Sequence, residues 1–176
     1  MSDRGKIIYL RHGDDEVTDY VHDESLTHKG KKKTKKLAKK LIEEHGVPDI
    51  IYFSPFYRTR QTKKIMLKVI SKYIGKEYKK IARVCDYRLS RFFTSRESEN
   101  PSVRDATIRR KAPLDETKEE FNERLANQLN YIQRKHKGQL VWCVTHTLVI
   151  KYVIKEKNVE HGDHIPYLET IILQNS

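Results

Sequence analysis

Two histidines, His12 and His146, each close a short apolar run, and two arginines, Arg11 and Arg58, stand where such runs end. A neutral imidazole is a competent nucleophile, and guanidinium forks match phosphoryl oxygens bidentately. Two histidines and two arginines without a carboxylate trio make a poor divalent-metal site and a good phosphate site. The chemistry open to them is attack of His12 on phosphorus, giving a phosphohistidine that water then hydrolyses. Arg11, Arg58 and a protonated His146 would neutralise the phosphoryl oxygens as charge redistributes. Gly13 removes a side chain where a ligand would need to approach the backbone. Taken singly, either histidine also reads as an ordinary turn or core imidazole; both lying at strand ends is what favours chemistry.

Positioning them falls to the apolar runs. Ile7 to Leu10, Asp49 to Phe53 and Leu140 to Thr145 lack polar alternation and read as strands buried on both faces. Ile81 to Cys85 and Leu168 to Leu173 add two more strands. Between them, Thr27 caps a helix whose stripe of Thr34, Leu37, Ala38, Leu41 and Ile42 ends at Gly46 and Pro48. Ser54 followed by Pro55 suits a helix cap, and Thr62, Ile65, Met66, Val69, Ile70 and Tyr73 mark the core-facing side of that helix, which stops at Gly75. Arg58 and Arg60 in its first turn oppose the helix dipole, a local conflict typical of functional positions, and a phosphate there would meet arginine and backbone donors together. Thr117 to Glu120 resembles a capping box opening a helix to about His136. Leu148 to Ile154 reads as a buried, nearly all-apolar helix. Strands alternating with helices imply a mostly parallel sheet covered on both faces, whose strand C-termini share one edge.

The composition narrows the partners. The chain has 176 residues, room for one domain, with Lys+Arg 36 against Asp+Glu 24 and a formal charge of +12. Such a charge attracts nucleic acid, anionic membranes or phosphorylated substrates alike. Lysines from Lys29 to Lys40 surround an amphipathic stripe without interleaved aromatics for base stacking, so a solvated helix face is favoured over a nucleic-acid surface. Cys85 and Cys143 each sit in an apolar run and read as reduced, buried thiols with no zinc spacing. His161-Gly162-Asp163-His164 has the spacing of a metal pair but reads as a surface turn. No run is long enough for a bilayer, and Met1 to Arg4 leaves no room for a leader, so the expectation is a soluble cytoplasmic protein.

Four motifs, in order, resemble those of the histidine phosphatase superfamily, the phosphoglycerate mutase-like group, in its smaller branch. They are Leu10-Arg11-His12-Gly13; Leu26-Thr27-His28-Lys29-Gly30; Ser54-Pro55-Phe56-Tyr57-Arg58-Thr59-Arg60-Gln61-Thr62; and Val144-Thr145-His146. Arg-His-Gly-Asp at Arg11 to Asp14 is similar to the single-domain phosphohistidine phosphatases. The resemblance implies a three-layer α/β/α sandwich with a mostly parallel central sheet, a nucleophilic His12, and a phosphate pocket of Arg11, Arg58 and His146 joined by the backbone of Thr147. No metal or other cofactor is implied. The expected reaction is metal-independent hydrolysis of a phosphomonoester or phosphoramidate, on a phosphorylated small molecule or a phosphoprotein. The chain departs from the pattern at one place. Where family enzymes carry a general-acid glutamate after the third strand, this sequence reads Leu89-Ser90-Arg91. Glu97 is the expected substitute, with Glu99, Asp14 and Asp15 as alternatives, and Arg91 could bind a second anionic group. Losing a general acid costs ~10²–10⁴-fold in rate, least for a leaving group that departs easily. Residues 86–113 form an irregular lid or insert, with a short helix around 102–110, within a single domain spanning 1–176. Two other functions compete: a catalytically weak phospho-ligand binder and a basic nucleic-acid-binding domain.

Overall fold

The computed structural model describes residues 5–15, 25–90 and 116–175. Its centre is a five-stranded sheet in the order β3-β2-β4-β1-β5. The strands are β1 Lys6–Arg11, β2 Ile50–Phe53, β3 Ala82–Cys85, β4 Leu140–Thr145 and β5 Thr170–Gln174. β1, β2, β3 and β4 pair in parallel, and β5 runs antiparallel along β1. The expected mostly parallel sheet is present, and β5 begins two residues later than the apolar run suggested.

Among the described residues four α-helices cover the sheet: α1 His28–His45, α2 Tyr57–Ile74, α3 Lys118–Lys135 and α4 Thr147–Glu156. The alternating pleat sorts the strand residues into two cores. Ile8, Leu10, Ile51, Trp142 and Val144 pack with Ala38, Leu41 and Ile42 of α1 and Met66 and Ile70 of α2. Ile7, Tyr9, Tyr52, Val141 and Cys143 face Phe121, Leu125 and Leu129 of α3 and Val149, Ile150 and Val153 of α4. Two apolar layers, one per face, explain strands with no polar alternation. Residues 75–80 and 87–89 form short 3₁₀ turns flanking β3.

The caps follow the sequence in two helices and depart from it in a third. Thr27 Oγ1 accepts from Gly30 N at 2.8 Å at the start of α1. Thr117 and Glu120 form the reciprocal box that opens α3. Ser54, however, caps nothing: Phe56 is the N-cap of α2 and no side chain satisfies that end. Proline follows Ser54 in the linker before the helix, not inside its first turn. The buried stripe of α2 is also rotated from the expected one, running through Arg58, Thr59, Thr62, Met66, Leu67 and Ile70, while Tyr73 is exposed. That rotation turns Arg58 inward. α4 is likewise amphipathic, not buried all round, with Leu148 at 46% exposure.

Cys143 is buried as expected, whereas Cys85 is exposed, because β3 is an edge strand with little over it. No helix among the described residues is long and apolar enough to cross a membrane. The expected short helix at 102–110 and the insert's interior lie outside the described residues.

Candidate active site

Strand geometry brings the chemistry to one edge. Just past β1, β2 and β3 the ladder continues for one more bond each. His12 N donates to Thr145 O at 3.0 Å, Ser54 N to Val144 O at 3.1 Å, and Asp86 N to Phe53 O at 2.9 Å. His12, Ser54 and His146 therefore leave adjacent parallel strands at the same height. The rings of His12 and His146 lie 5.3 Å apart, edge to face, and both are nearly buried.

Arg58 ties them together. At 6% exposure its Nε donates to His12 Nε2 at 3.1 Å, and its Nη2 lies 3.4 Å from His146 Nδ1. Guanidinium nitrogens carry hydrogens and cannot accept, so these contacts set both tautomers. In His12 the Nε2 lone pair faces Arg58 and Nδ1–H donates to the Gly13 carbonyl at 2.9 Å. In His146 Nδ1 accepts and Nε2–H donates to Ser54 Oγ at 2.9 Å. A proton on His146 Nδ1 as well would require Arg58 to move off that nitrogen. Phe56 packs edge-on against His146 at 5.1 Å and closes that side.

Asp15 Oδ2 pairs with Arg58 Nε at 3.5 Å, and its other oxygen is buried with no hydrogen-bond partner among the described residues. Asp14 turns outward to Lys33 at 2.9 Å. The Tyr167 ring centre lies 5.7 Å from that of His12; burial, helped by the Asp15 carboxylate, pushes the pKa of its phenol up to about 12. Arg11 joins the cluster through Tyr167. Its guanidinium lies 3.9 Å over that ring, one Nη donates to Ile165 O at 2.6 Å, and its Nε is buried with no hydrogen-bond partner among the described residues. Burial lowers the Arg11 pKa, opposed by Tyr167, Asp15 and Asp14.

Thr147 is the first residue of α4, and His146, its N-cap, makes no side-chain capping bond. The first amides of α4 have no intrahelical acceptor and can meet an anion at the strand edge. α2 starts beside it, and its N-cap, Phe56, likewise makes no side-chain capping bond. Arg60, expected to share a phosphate with Arg58, lies on the opposite, exposed side of α2. Arg91, Glu97 and Glu99 lie outside the described residues.

The glycines explain the motif spacing differently from expectation. A Cβ on Gly13 would come within 2.6 Å of Thr34 Oγ1, and one on Gly30 within 2.2 Å of Asp14 O. What approaches Gly13 is α1, not an incoming ligand. Thr62 Oγ1 accepts from Gly13 N at 3.1 Å and donates to Arg58 O at 2.8 Å, while Gln61 Oε1 accepts from Leu26 N at 2.8 Å. These residues hold the His12 loop against both helices.

Sequence reasoning missed Ser54 and Tyr167. Ser54 had a signal, since it ends its strand as His12 and His146 end theirs; Tyr167 sits in an irregular loop that offers none. Among the described residues no group of three or more His, Cys, Asp or Glu could hold a metal ion.

The chain belongs to the histidine phosphatase superfamily, branch 1, whose family model matches residues 7–169. Solved structures with the same fold include the ecdysone phosphate phosphatase of Bombix mori in complex with tungstate, 14% identical, with a TM-score of 0.67 over 96% of this chain and 88% of that one. Phosphoglycerate mutase from Bacillus anthracis str. Sterne is 18% identical, with a TM-score of 0.65 over 99% and 91%. The protein histidine phosphatase SixA complexed with tungstate is 14% identical, with a TM-score of 0.61 over 93% and 83%. No curated protein sequence matches the chain.

Proposed function

We propose that the protein is a phosphatase that hydrolyses a phosphomonoester or phosphoramidate through a phosphohistidine on His12, without a metal ion. The observation that carries this reading is the lone pair of His12 Nε2 turned towards Arg58 within a cluster that also holds His146. The phosphoryl group displaces Arg58 from the imidazoles and takes its guanidinium as a ligand. Nε2 then attacks phosphorus in line while the P–O or P–N bond to the leaving group breaks. Arg58, His146 and the first amides of α4 at Thr147 hold the equatorial oxygens, with Arg11 adding positive charge from behind Tyr167. The Gly13 carbonyl, accepting from Nδ1–H, stabilises the charge that appears on the ring.

The leaving group takes a proton from a carboxylic acid, and the resulting carboxylate later removes one from the water that attacks the phosphohistidine. P–N cleavage then restores His12. Glu97 is the assigned donor, and Asp15 is the carboxylate that stands within the cluster among the described residues. Arg91 is assigned to a second anionic group of the substrate. A leaving group of low basicity, such as the imidazole of a phosphohistidine, suits a site with arginine at the usual acid position.

The test is a phosphatase panel covering a sugar phosphate, a nucleotide, a phosphopeptide and phosphohistidine. Wild type should release phosphate and His12→Ala should not. Glu97→Gln should slow an alkyl phosphate by ~10²-fold or more and a phosphoramidate far less; equal slowing of both would remove Glu97 from the donor role, and full release by His12→Ala would remove the mechanism.

A further inference from the structure

The positive charge of the chain is concentrated on one part of it. Residues 28–85 carry eighteen Lys and Arg against four Asp and Glu, whereas residues 116–175 carry eight of each. On the outer side of α2, away from His12, the basic part folds into a recess of about 520 Å³, lined by Arg60, Lys63, Lys64, Lys68 and Arg83 among others. Among the described residues, none that lines it is acidic. Tyr57 and Tyr78 add ring surface to its lining, and Arg83 is steered by donation to Tyr78 O at 3.0 Å. Lys63 is half-buried, with its ammonium 4.3 Å over the Phe53 ring. Burial lowers its pKa and the neighbouring Arg83 and Arg60 lower it further. Five cations line the recess together.

We propose that this recess is a second anion site, separate from the His12 pocket, that binds a compact ligand carrying several adjacent phosphate groups. Its size lies within the ~300–1,000 Å³ of small-molecule sites, and a nucleic acid would instead need a groove that tracks a long backbone. Arg60 and Arg83 offer planar forks, while the lysines act as mobile point charges. Clustered phosphates replace the mutual repulsion of the cations with attraction. The residues belong to the face opposite Arg58, so occupancy of this recess does not require the reaction centre.

Calorimetric titration with inorganic tripolyphosphate at ~0.15 M salt, where long-range charge attraction is screened, tests the assignment. Both wild type and His12→Ala should bind one equivalent. The paired change Lys63→Gln with Arg83→Gln should weaken binding by about tenfold or more, as should Lys64→Gln with Lys68→Gln, whose exposed side chains leave the fold unaffected. Lys35→Gln with Lys39→Gln on α1 removes the same charge and should change binding less than about twofold. Equal losses in groove and α1 variants would mean diffuse attraction only and overturn the proposal. Loss in His12→Ala alone would place the ligand in the reaction centre and overturn it too. A single-stranded RNA that binds wild type tighter than tripolyphosphate, and is weakened equally by both variant sets, would assign the surface to nucleic acid instead.

Discussion

Ser54 is the residue whose contribution goes furthest beyond its first appearance. Its hydroxyl accepts from His146 Nε2 at 2.9 Å and lies 3.4 Å from Ser90 Oγ, so it fixes the tautomer that leaves His146 Nδ1 facing the cluster. Ser54→Ala removes one neutral hydrogen bond of about 0.5–1.5 kcal/mol. The turnover number should fall several-fold with little change in thermal midpoint, measured by steady-state kinetics and a melting curve on the same sample. The thiols provide a second check. Burial pushes the Cys143 pKa well above the ordinary thiol value, so it stays protonated at pH 8 and unreactive, since the thiolate is the nucleophile. Mass spectrometry after iodoacetamide treatment should therefore find Cys85 alkylated in the folded protein and Cys143 only after denaturation. The same burial argument failed for Cys85 because a short apolar run says nothing about whether its strand lies at the centre or the edge.

At the scale of elements, strands announce themselves through composition, but which residue ends each strand at the shared edge is a matter of register. His12 and His146 were legible because an imidazole after an apolar run is unusual. Arg58 was legible because a cation in the first turn of a helix opposes its dipole. Ser54 was misread because serine before proline looks like a cap, and only the pairing of β2 with β4 reveals its other use. The glycines carried a structural signal that was read as a functional one: Gly13 and Gly30 allow α1 to rest against the His12 loop. Gly30→Ala drives a methyl into the Asp14 carbonyl, and overpacking of this kind costs about 1–3 kcal/mol. Its melting temperature should drop, and activity should fall with it because Asp14 is two residues from His12. A second element-scale feature is the clasp of α3. Arg124 donates to Glu116 at 2.5 and 2.8 Å and to the carbonyls of Arg88 and Ser90 at 2.8 and 3.3 Å. It thereby holds the turn after β3, whose Leu89 carbonyl accepts from Thr145 Oγ1 at 2.6 Å. Glu116→Gln breaks the buried ion pair with Arg124, and breaking such a pair costs about 3–5 kcal/mol. A shift of the denaturation midpoint of that size would bear this out; a shift below about 1 kcal/mol would show the clasp to be dispensable.

For the whole molecule, two cores on either face of one sheet hold the edge where β1, β2 and β4 end, and most of the excess positive charge lies on the α1/α2 side. The buried phenols make that architecture sensitive to alkali. Burial raises the pKa of Tyr9 and Tyr52 above the ordinary value, and Tyr167 reaches about 12. Above pH ~10 the unfolded chain releases these protons first, so stability falls as pH rises through the interval up to the folded values. The midpoint temperature should decline over that range, and Tyr9→Phe should flatten the decline. Central to the whole account is a covalent bond between His12 Nε2 and phosphorus. Brief mixing with a ³²P-labelled acyl phosphate, followed by alkaline quench and peptide mapping, reads that bond directly. The account predicts acid-labile, alkali-stable label on the peptide containing His12, absent from His12→Ala; label on another residue, or rapid phosphate release with no labelled enzyme at any time, would contradict it.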